Sequence, residues 1–267
     1  MKKLIIHILL ILGGILMFFP FYQMIATSLM TFSEAYSVPP TLIPADPNLA
    51  NYSALLNGQY EFARAILNSL LYTTIMIVIN VFVAAISGFC LAKVDFKFKN
   101  AYFFMVIALM MVPSQMFILP NYLNMAHVGL LDTFMAVGLP AFYSFYGVFL
   151  MRQFFFAIPD ELIEAAVIDG YGIFKIFYKI GVPLVKPGLT VFALTTTLYH
   201  WNNLLWPMLI LKSQDKMLLP VVLADINSSL VIPINVAMAA SVLAILPMLI
   251  LYLFVEKHLT KVNLALK

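Results

Sequence analysis

The sequence predicts an all-α membrane protein with six transmembrane helices. Three observations carry that prediction. Of the 267 residues, 63% are hydrophobic and only 10% are charged, whereas soluble domains carry about 25% charged residues. Six stretches lack Asp, Glu, Lys and Arg: 4–33, 65–92, 100–131, 133–151, 187–211 and 226–255. A helix crosses the hydrocarbon core in about 20 residues, so each stretch can span it. With the N-terminus placed in the cytoplasm, twelve basic residues fall inside and three (Arg64, Lys212 and Lys216) outside, a positive-inside bias. Spans in lipid must satisfy their own backbone groups, which helices do. The strict alternation of a membrane β-barrel is missing.

The spans follow in order along a single transmembrane domain, residues 1–267. The first covers 4–30, and Pro20 predicts a kink within it. Lys2 and Lys3 before an apolar run resemble a signal peptide. The run continues without a small-x-small cleavage site, so retention is expected. An outside loop at 31–60 holds Pro39, Pro40, Pro44 and Pro47, which predict extended or turn structure. The second span is 63–92, followed by a short basic inside turn at 93–100. The third is 101–125; Pro113 and Pro120 inside it predict a bent helix whose freed carbonyls need other partners. After an outside turn with Gly129 and Asp132, the fourth span is 133–151. An inside loop at 152–187 leads to the fifth span at 188–211. An outside loop at 212–232, a sixth span at 233–255 and an inside tail at 256–267 complete the chain.

Several chemistries lack their residues. A lone cysteine, Cys90, precludes an internal disulfide or a cysteine-based zinc site. His7, His127, His200 and His258 are scattered without metal-ligand spacing. The phosphate-cradling Gly-x-x-x-x-Gly-Lys-Ser/Thr run is absent. Acidic residues sit in loops or at span ends, away from any intramembrane relay. The basic residues report orientation, and nucleic acid is not an expected partner.

The inside loop is the most informative segment. Pro159 suits the first turn of a helix, and Asp160 and Glu161 face its positive dipole end. Leu162, Ala165, Ala166 and Asp169 fall on one face. Gly170 is placed to end the helix in a left-handed conformation. A second short helix follows, with Phe174, Phe177 and Ile180 spaced by three and Pro183 and Pro187 ending it. Physically, this is either an amphipathic connector on the membrane surface or a docking element for another protein.

Glu164-Ala165-Ala166, three residues, Gly170, nine residues, then Ile180-x-Val182-Pro183 resembles the signature of permease subunits of binding-protein-dependent ABC importers. Asp169-Gly170 and Pro183-Leu184 extend the match toward the carbohydrate branch, similar to the smaller permease of maltose-type systems. Further matches are Asn68-Ser69-Leu70, Met111-Val112-Pro113, Ile158-Pro159-x-Glu161-Leu162, Trp201-Asn202 and Trp206-Pro207. The resemblance implies a MetI-like bundle with a cytoplasmic coupling helix. Glu164, Ala165, Ala166, Asp169, Gly170 and Pro183 would couple it to an ATPase, Glu164 through a polar contact and Gly170 through the turn. It also implies a second permease subunit (related or identical), two cytoplasmic ATPases that hold ATP and Mg, and an extracytoplasmic solute-binding protein. The outside loops would face that binding protein. This chain would carry no cofactor and catalyse no covalent chemistry. Its expected place is the bacterial plasma membrane, multi-pass, with both termini cytoplasmic. The tail lacks the Gly-rich end common in sugar permeases, so no ATPase contact is carried over to it.

The fifth span is unusually polar. Tyr199, Asn202, Asn203 and Trp206 fall at i, i+3, i+4 and i+7, with Thr195 before them and Asn68 in the second span. Aromatic faces stack on sugar rings, and amides and hydroxyls pair with sugar hydroxyls. Each of these residues, taken singly, is read more simply as an interhelical hydrogen bond or an interfacial anchor. His200 and Gly88 are read as packing positions. The expected function is the membrane path of an ATP-driven importer for a sugar or sugar-like solute. A permease for a non-sugar solute, a non-ABC scaffold and an integral-membrane enzyme are the alternatives. The last lacks a cluster of catalytic polar groups.

Overall fold

A computed structural model describes the backbone of residues 2–57 and 60–265, and side chains between residues 3 and 253 apart from 58 and 59. Every regular element among the described residues is helical. In order these are α1 (Lys2–Ser28), α2 (Phe32–Ala35), α3 (Ala50–Leu56), α4 (Phe62–Lys93) and α5 (Lys99–Met110). Next come α6 (Ile118–His127), α7 (Phe134–Gly138), α8 (Phe145–Phe156), α9 (Asp160–Ile168) and α10 (Ile173–Ile176). A π-helical turn, Phe177–Gly181, leads into α11 (Val182–Leu184) and α12 (Lys186–Trp201). The chain ends with α13 (Leu205–Ile210), α14 (Leu219–Ser228) and α15 (Ile234–Ala265).

Three helices are long and apolar enough to cross a membrane: α1, α4 and the Ile234–Leu253 part of α15. Three bent pairs raise the number of spans to six. The expected third span breaks by 94° between Met110 and Ser114, a sharper change than a bend. Pro113 explains it: its ring removes a donor and drives Val112 out of helical backbone. The expected fourth span breaks by 47° around a 3-10 turn holding Pro140 and then runs on to Phe156. The expected fifth span, 188–211, is not continuous. Its helix ends at Trp201, and Asn202–Leu204 separate it from α13. The long partner of α12 lies upstream instead, at Ile173–Leu184 with a 78° bend. Pro183 and Pro187 therefore start α11 and α12 rather than end a helix, since a missing N–H costs nothing in a first turn. The two segments expected outside also hold helices that the prolines do not announce. Residues 31–60 form α2 and α3, and 212–232 include α14, whose Leu219, Val221, Val222 and Ile226 are buried. Side chains of the expected tail, 256–267, lie outside the described residues.

The chain packs as two compact units. One comprises 1–67 with 218–255. It is held by a buried polar knot. Asn51 Nδ2 donates to the carbonyls of Ser28 (2.8 Å) and Met30 (2.9 Å). Asn235 Nδ2 donates to Met30 O (3.2 Å) and to Asn51 Oδ1 (2.9 Å). The last carbonyls of a helix lack intrahelical donors, and here amides from α3 and α15 supply them at the end of α1. Thr31 and Glu34 add a capping box to α2, and Glu34 also accepts from the backbone of Ala45. The hydrogen bonds from backbone Thr31, then Ala45, hold its carboxyl below the usual range.

The other unit comprises 68–217 with 256–267. Its core joins Ala84, Ala85 and Phe89 of α4 to Val148, Met151 and Phe155 of α8, and to Phe192 of α12. Gly88 lets α4 and α8 approach closely. A Cβ there would lie 2.7 Å from Met151 Cβ and 2.8 Å from the Arg152 amide nitrogen, too near for any side chain. Small residues are the usual way to bring membrane helices together.

Candidate functional site

The segment from α9 to α11 is built as a rigid knuckle on this second unit. Pro159 is the N-cap residue of α9, one position earlier than the sequence suggests, with extended backbone (ψ 136°). The helix ends in a Schellman motif. The Tyr171 amide donates to Ala166 O and the Gly170 amide to Val167 O, both at 2.9 Å. Gly170 carries the left-handed backbone this closure requires, at φ 77°. The motif is completed by apolar packing, since Ala166, Ile163 and Tyr171 share one hydrophobic cluster.

The root of the knuckle is tied down in two ways. Phe89, Phe155 and Phe177 form an aromatic cluster with centroids 5.2 to 6.1 Å apart. This joins α4 and α8 to the π-helical turn, where the buried Gly181 admits the rings. Lys93 closes α4 and donates to Ile158 O and to the Asp160 carboxylate just before and inside α9. Its side chain is only 3% exposed. Sequence reasoning treats Lys93 only as an orienting charge, because no local pattern signals a partner so far along the chain.

The sequence-predicted residues of this segment part company. Glu164, Ala165, Asp169, Gly170 and Pro183 are all exposed. Ala166 is not: it is 4% exposed and packed into its own chain, which leaves its methyl little surface to offer another protein. Of the face shared by Leu162, Ala165, Ala166 and Asp169, only Ala166 is buried; the inner face of α9 is Ile163 and Ala166. Their i, i+3 spacing is the signal that would have found it. The outer surface mixes Glu161 and Glu164 with large apolar groups. Leu162, Val167, Ile168 (86% exposed) and Phe174 (78% exposed) all stand clear.

The residues expected along a solute path also divide. Thr195, Leu198, Tyr199 and Asn202 form one exposed stripe of α12. The opposite face buries Phe192, Thr196, Thr197, His200 and Trp201. Thr195 and Asn202 donate to backbone carbonyls of Phe192 and Leu198, both at 2.9 Å. Because α12 stops at Trp201, Asn203 and Trp206 do not continue this stripe as a regular helix would. Trp206 is half-buried and donates Nε1 to the carbonyls of Ala136 (3.3 Å) and Val137 (3.2 Å). Those carbonyls belong to α7, ahead of the break in the fourth span; Pro140 has no N–H to offer Ala136. Asn68 donates to the carbonyls of Asp215 (3.0 Å) and Met217 (3.1 Å). Both thus act as internal ties. His200 lies in the bundle, 3.4 Å from the Tyr72 hydroxyl.

One further anchor holds the turn after α13. Asp132, at φ 60°, accepts from the amides of Lys212 (2.8 Å) and Ser213 (3.0 Å) on one carboxylate oxygen. The other accepts from the Ser213 hydroxyl and from Lys216 Nζ. The Ser213 bonds first, then those from Lys212 and Lys216, hold this carboxyl well below the usual carboxylate range.

Comparison with known proteins places this geometry. Residues 80–261 match the family described as the binding-protein-dependent transport system inner membrane component. The chain is 33% identical over 248 residues to the arabinooligosaccharides transport system permease protein AraQ of Bacillus subtilis (strain 168), covering 92% of this chain and 88% of that protein. It is 31% identical over 258 residues to the sn-glycerol-3-phosphate transport system permease protein UgpE of Yersinia pestis bv. Antiqua (strain Antiqua), covering 94% and 92%. Its fold matches a crystal structure of a bacterial ABC transporter involved in the import of the acidic polysaccharide alginate. The TM-score is 0.88 at 24% identity, covering 96% of this chain and 95% of that one. The chain therefore belongs to the family of inner membrane components of binding-protein-dependent transport systems.

Proposed function

We propose that this chain forms half of the membrane path of an ATP-driven importer for a sugar or sugar-like solute, and that a separate ATPase drives it through α9 and Gly170. One observation carries the reading. The outer surface of α9 leaves Leu162, Val167 and Ile168 beside Glu161 and Glu164 in the open, while its root is fixed by Ala166, Lys93 and the aromatic cluster. An apolar surface held rigidly away from its own core suits a docking partner. A lever needs an anchored base, and these contacts support that role. Glu164, Ala165, Asp169 and Gly170 are the coupling positions in this reading. Pro183, on the short α11, keeps the bend behind them.

The remaining partners follow from the same reading: a second permease subunit, two ATPases that bind ATP and Mg, and an extracytoplasmic solute-binding protein. The knuckle and both termini lie on the cytoplasmic side of a bacterial plasma membrane. Thr195, Tyr199 and Asn202 line the path. They offer a hydroxyl, an aromatic face and an amide but no charge, which favours a neutral polyhydroxylated solute over a phosphorylated one. The named relatives AraQ and UgpE supply the two classes to compare. The test is reconstitution with candidate ATPases and binding proteins. ATP hydrolysis stimulated by a neutral saccharide supports the reading. Stimulation by glycerol phosphate alone removes the neutral-solute part, and no ATPase association removes the whole.

A further inference from the structure

The end of α4, the start of α5 and the end of α8 enclose an open cleft of about 670 Å³. Its walls include Leu91, Phe96, Phe98, Lys99, Arg152 and Phe156. The Arg152 guanidinium carbon lies 3.8 Å from the centre of the Phe103 ring and 5.4 Å from that of Phe156. This clamp fixes the plane of the fork without satisfying its N–H donors. Arg152 Nε is buried without an acceptor, and among the described residues no carboxylate pairs with Arg152. Lys99, at the rim, pairs with Asp95 at 3.3 Å, which cancels one charge and leaves the cleft net positive. Asn100 and Ala101 also line it, in the first turn of α5 where backbone amides lack intrahelical acceptors. Phe96, Phe98 and Phe156 expose their rings around these donors.

A guanidinium whose Nε is buried without an acceptor carries a cost that an anion at the fork would offset. A planar guanidinium matches two phosphate oxygens. Basic pockets between spans are a known way to hold lipid headgroups. We propose that this cleft binds the phosphate of an anionic phospholipid, with Arg152 as the bidentate donor and Lys99, whose Asp95 partner is fully exposed and can give way, as the second cation. The exposed phenylalanines take the acyl chains. Inorganic phosphate offers the same oxygens but nothing for those rings.

The test is native mass spectrometry of the full-length chain, in the membrane assembly it purifies with, from bilayers of equal phosphatidylglycerol and phosphatidylcholine. Phosphatidylglycerol is expected to stay bound in preference. Its retention should fall about fivefold in Arg152→Gln and in Lys99→Gln, the contribution of one basic residue near a charged surface. Lys99→Gln leaves the aromatic clamp intact and carries the test if Arg152→Gln does not assemble. Equal retention of the two lipids, or equal retention by wild type and variants, overturns the site. Displacement of the lipid by inorganic phosphate overturns the lipid as its ligand.

Discussion

Lys93 and Asp160 form an ion pair across 67 residues of sequence, joining the last residue of α4 to the first of α9. The pair is lopsided: the lysine side chain is 3% exposed and the aspartate 78%. The bond that matters is therefore the second one, from the same ammonium to Ile158 O. Lys93→Met leaves that carbonyl without its donor and should cost about 1–3 kcal/mol. Asp160→Asn breaks only a solvated pair and should cost less than about 1 kcal/mol. Unfolding midpoints of the two purified variants check this, and equal losses would remove Lys93 as the anchor of α9.

Gly170 needs its lack of a side chain for backbone reasons alone. A Cβ there meets nothing within 4 Å, yet φ is 77°. Gly170→Val should therefore strain the turn by about 1–2 kcal/mol and uncouple transport from ATP hydrolysis. Gly170→Asn, better tolerated in this conformation, should retain most activity. Transport per ATP hydrolysed in reconstituted vesicles separates them. If the valine variant couples normally, the turn is not part of the lever.

Asp132 gives a pH dependence with a fixed sign. Its folded carboxyl is held below its unfolded value by the Ser213, Lys212 and Lys216 donors. Stability from this group is thus complete above the unfolded value, about 3.9, and is lost as pH falls below it. Thermal unfolding from neutral pH down to about pH 3 should show a steeper loss in wild type than in Asp132→Asn, which lacks the titrating group. Parallel curves would show that the latch does not depend on the charge.

Much of this could be read in advance, and the failures share a cause. The ends of α4 match the expected 63–92 within one residue, because a long charge-free run bounded by Arg64 and Lys93 leaves little freedom. Gly170 was legible for a similar reason: a glycine after an apolar helical stretch is a local signal. The fifth span was not. Composition cannot distinguish a span that ends at Leu211 from one that stops at Trp201 and resumes at Leu205. The burial of Ala166 beside the exposed Ala165 is not legible, because the three alanine positions of the loop, Ala157, Ala165 and Ala166, look alike in sequence. Only the packing of Ile163 and Tyr171 shows which one faces inward. Asn68 and Trp206, each read singly as an interhelical hydrogen bond, donate to backbone carbonyls of distant segments; the sequence offers no means of naming those partners.

The knot of Asn51 and Asn235 should behave as one element. Asn235 donates to Asn51 at 2.9 Å, and both donate to Met30 O. Asn51→Ala and Asn235→Ala should each cost about 1–3 kcal/mol. The double variant should cost less than the sum by about 0.5–3 kcal/mol, since the residues share an acceptor and each other. Additive losses in a double-mutant cycle would separate the two ties.

Tyr199 and Trp206 offer the sharpest contrast between path and scaffold. The Tyr199 ring stands on the exposed stripe of α12, edge-on to His200 at 5.1 Å, and its hydroxyl makes no hydrogen bond among the described residues. Trp206 spends its one donor on Ala136 and Val137. Tyr199→Ala should therefore leave the unfolding midpoint close to wild type while lowering saccharide-stimulated turnover about two- to tenfold, the worth of one aromatic stacking contact. Trp206→Phe keeps most of the apolar bulk and removes the donor. It should lower stability by about 1–3 kcal/mol, and its turnover, corrected for folded protein, should hold. Stability and turnover measured on the same preparations decide it. A Tyr199 variant that transports normally takes this stripe out of the path, and a Trp206 variant that is fully stable but inactive puts that residue into it.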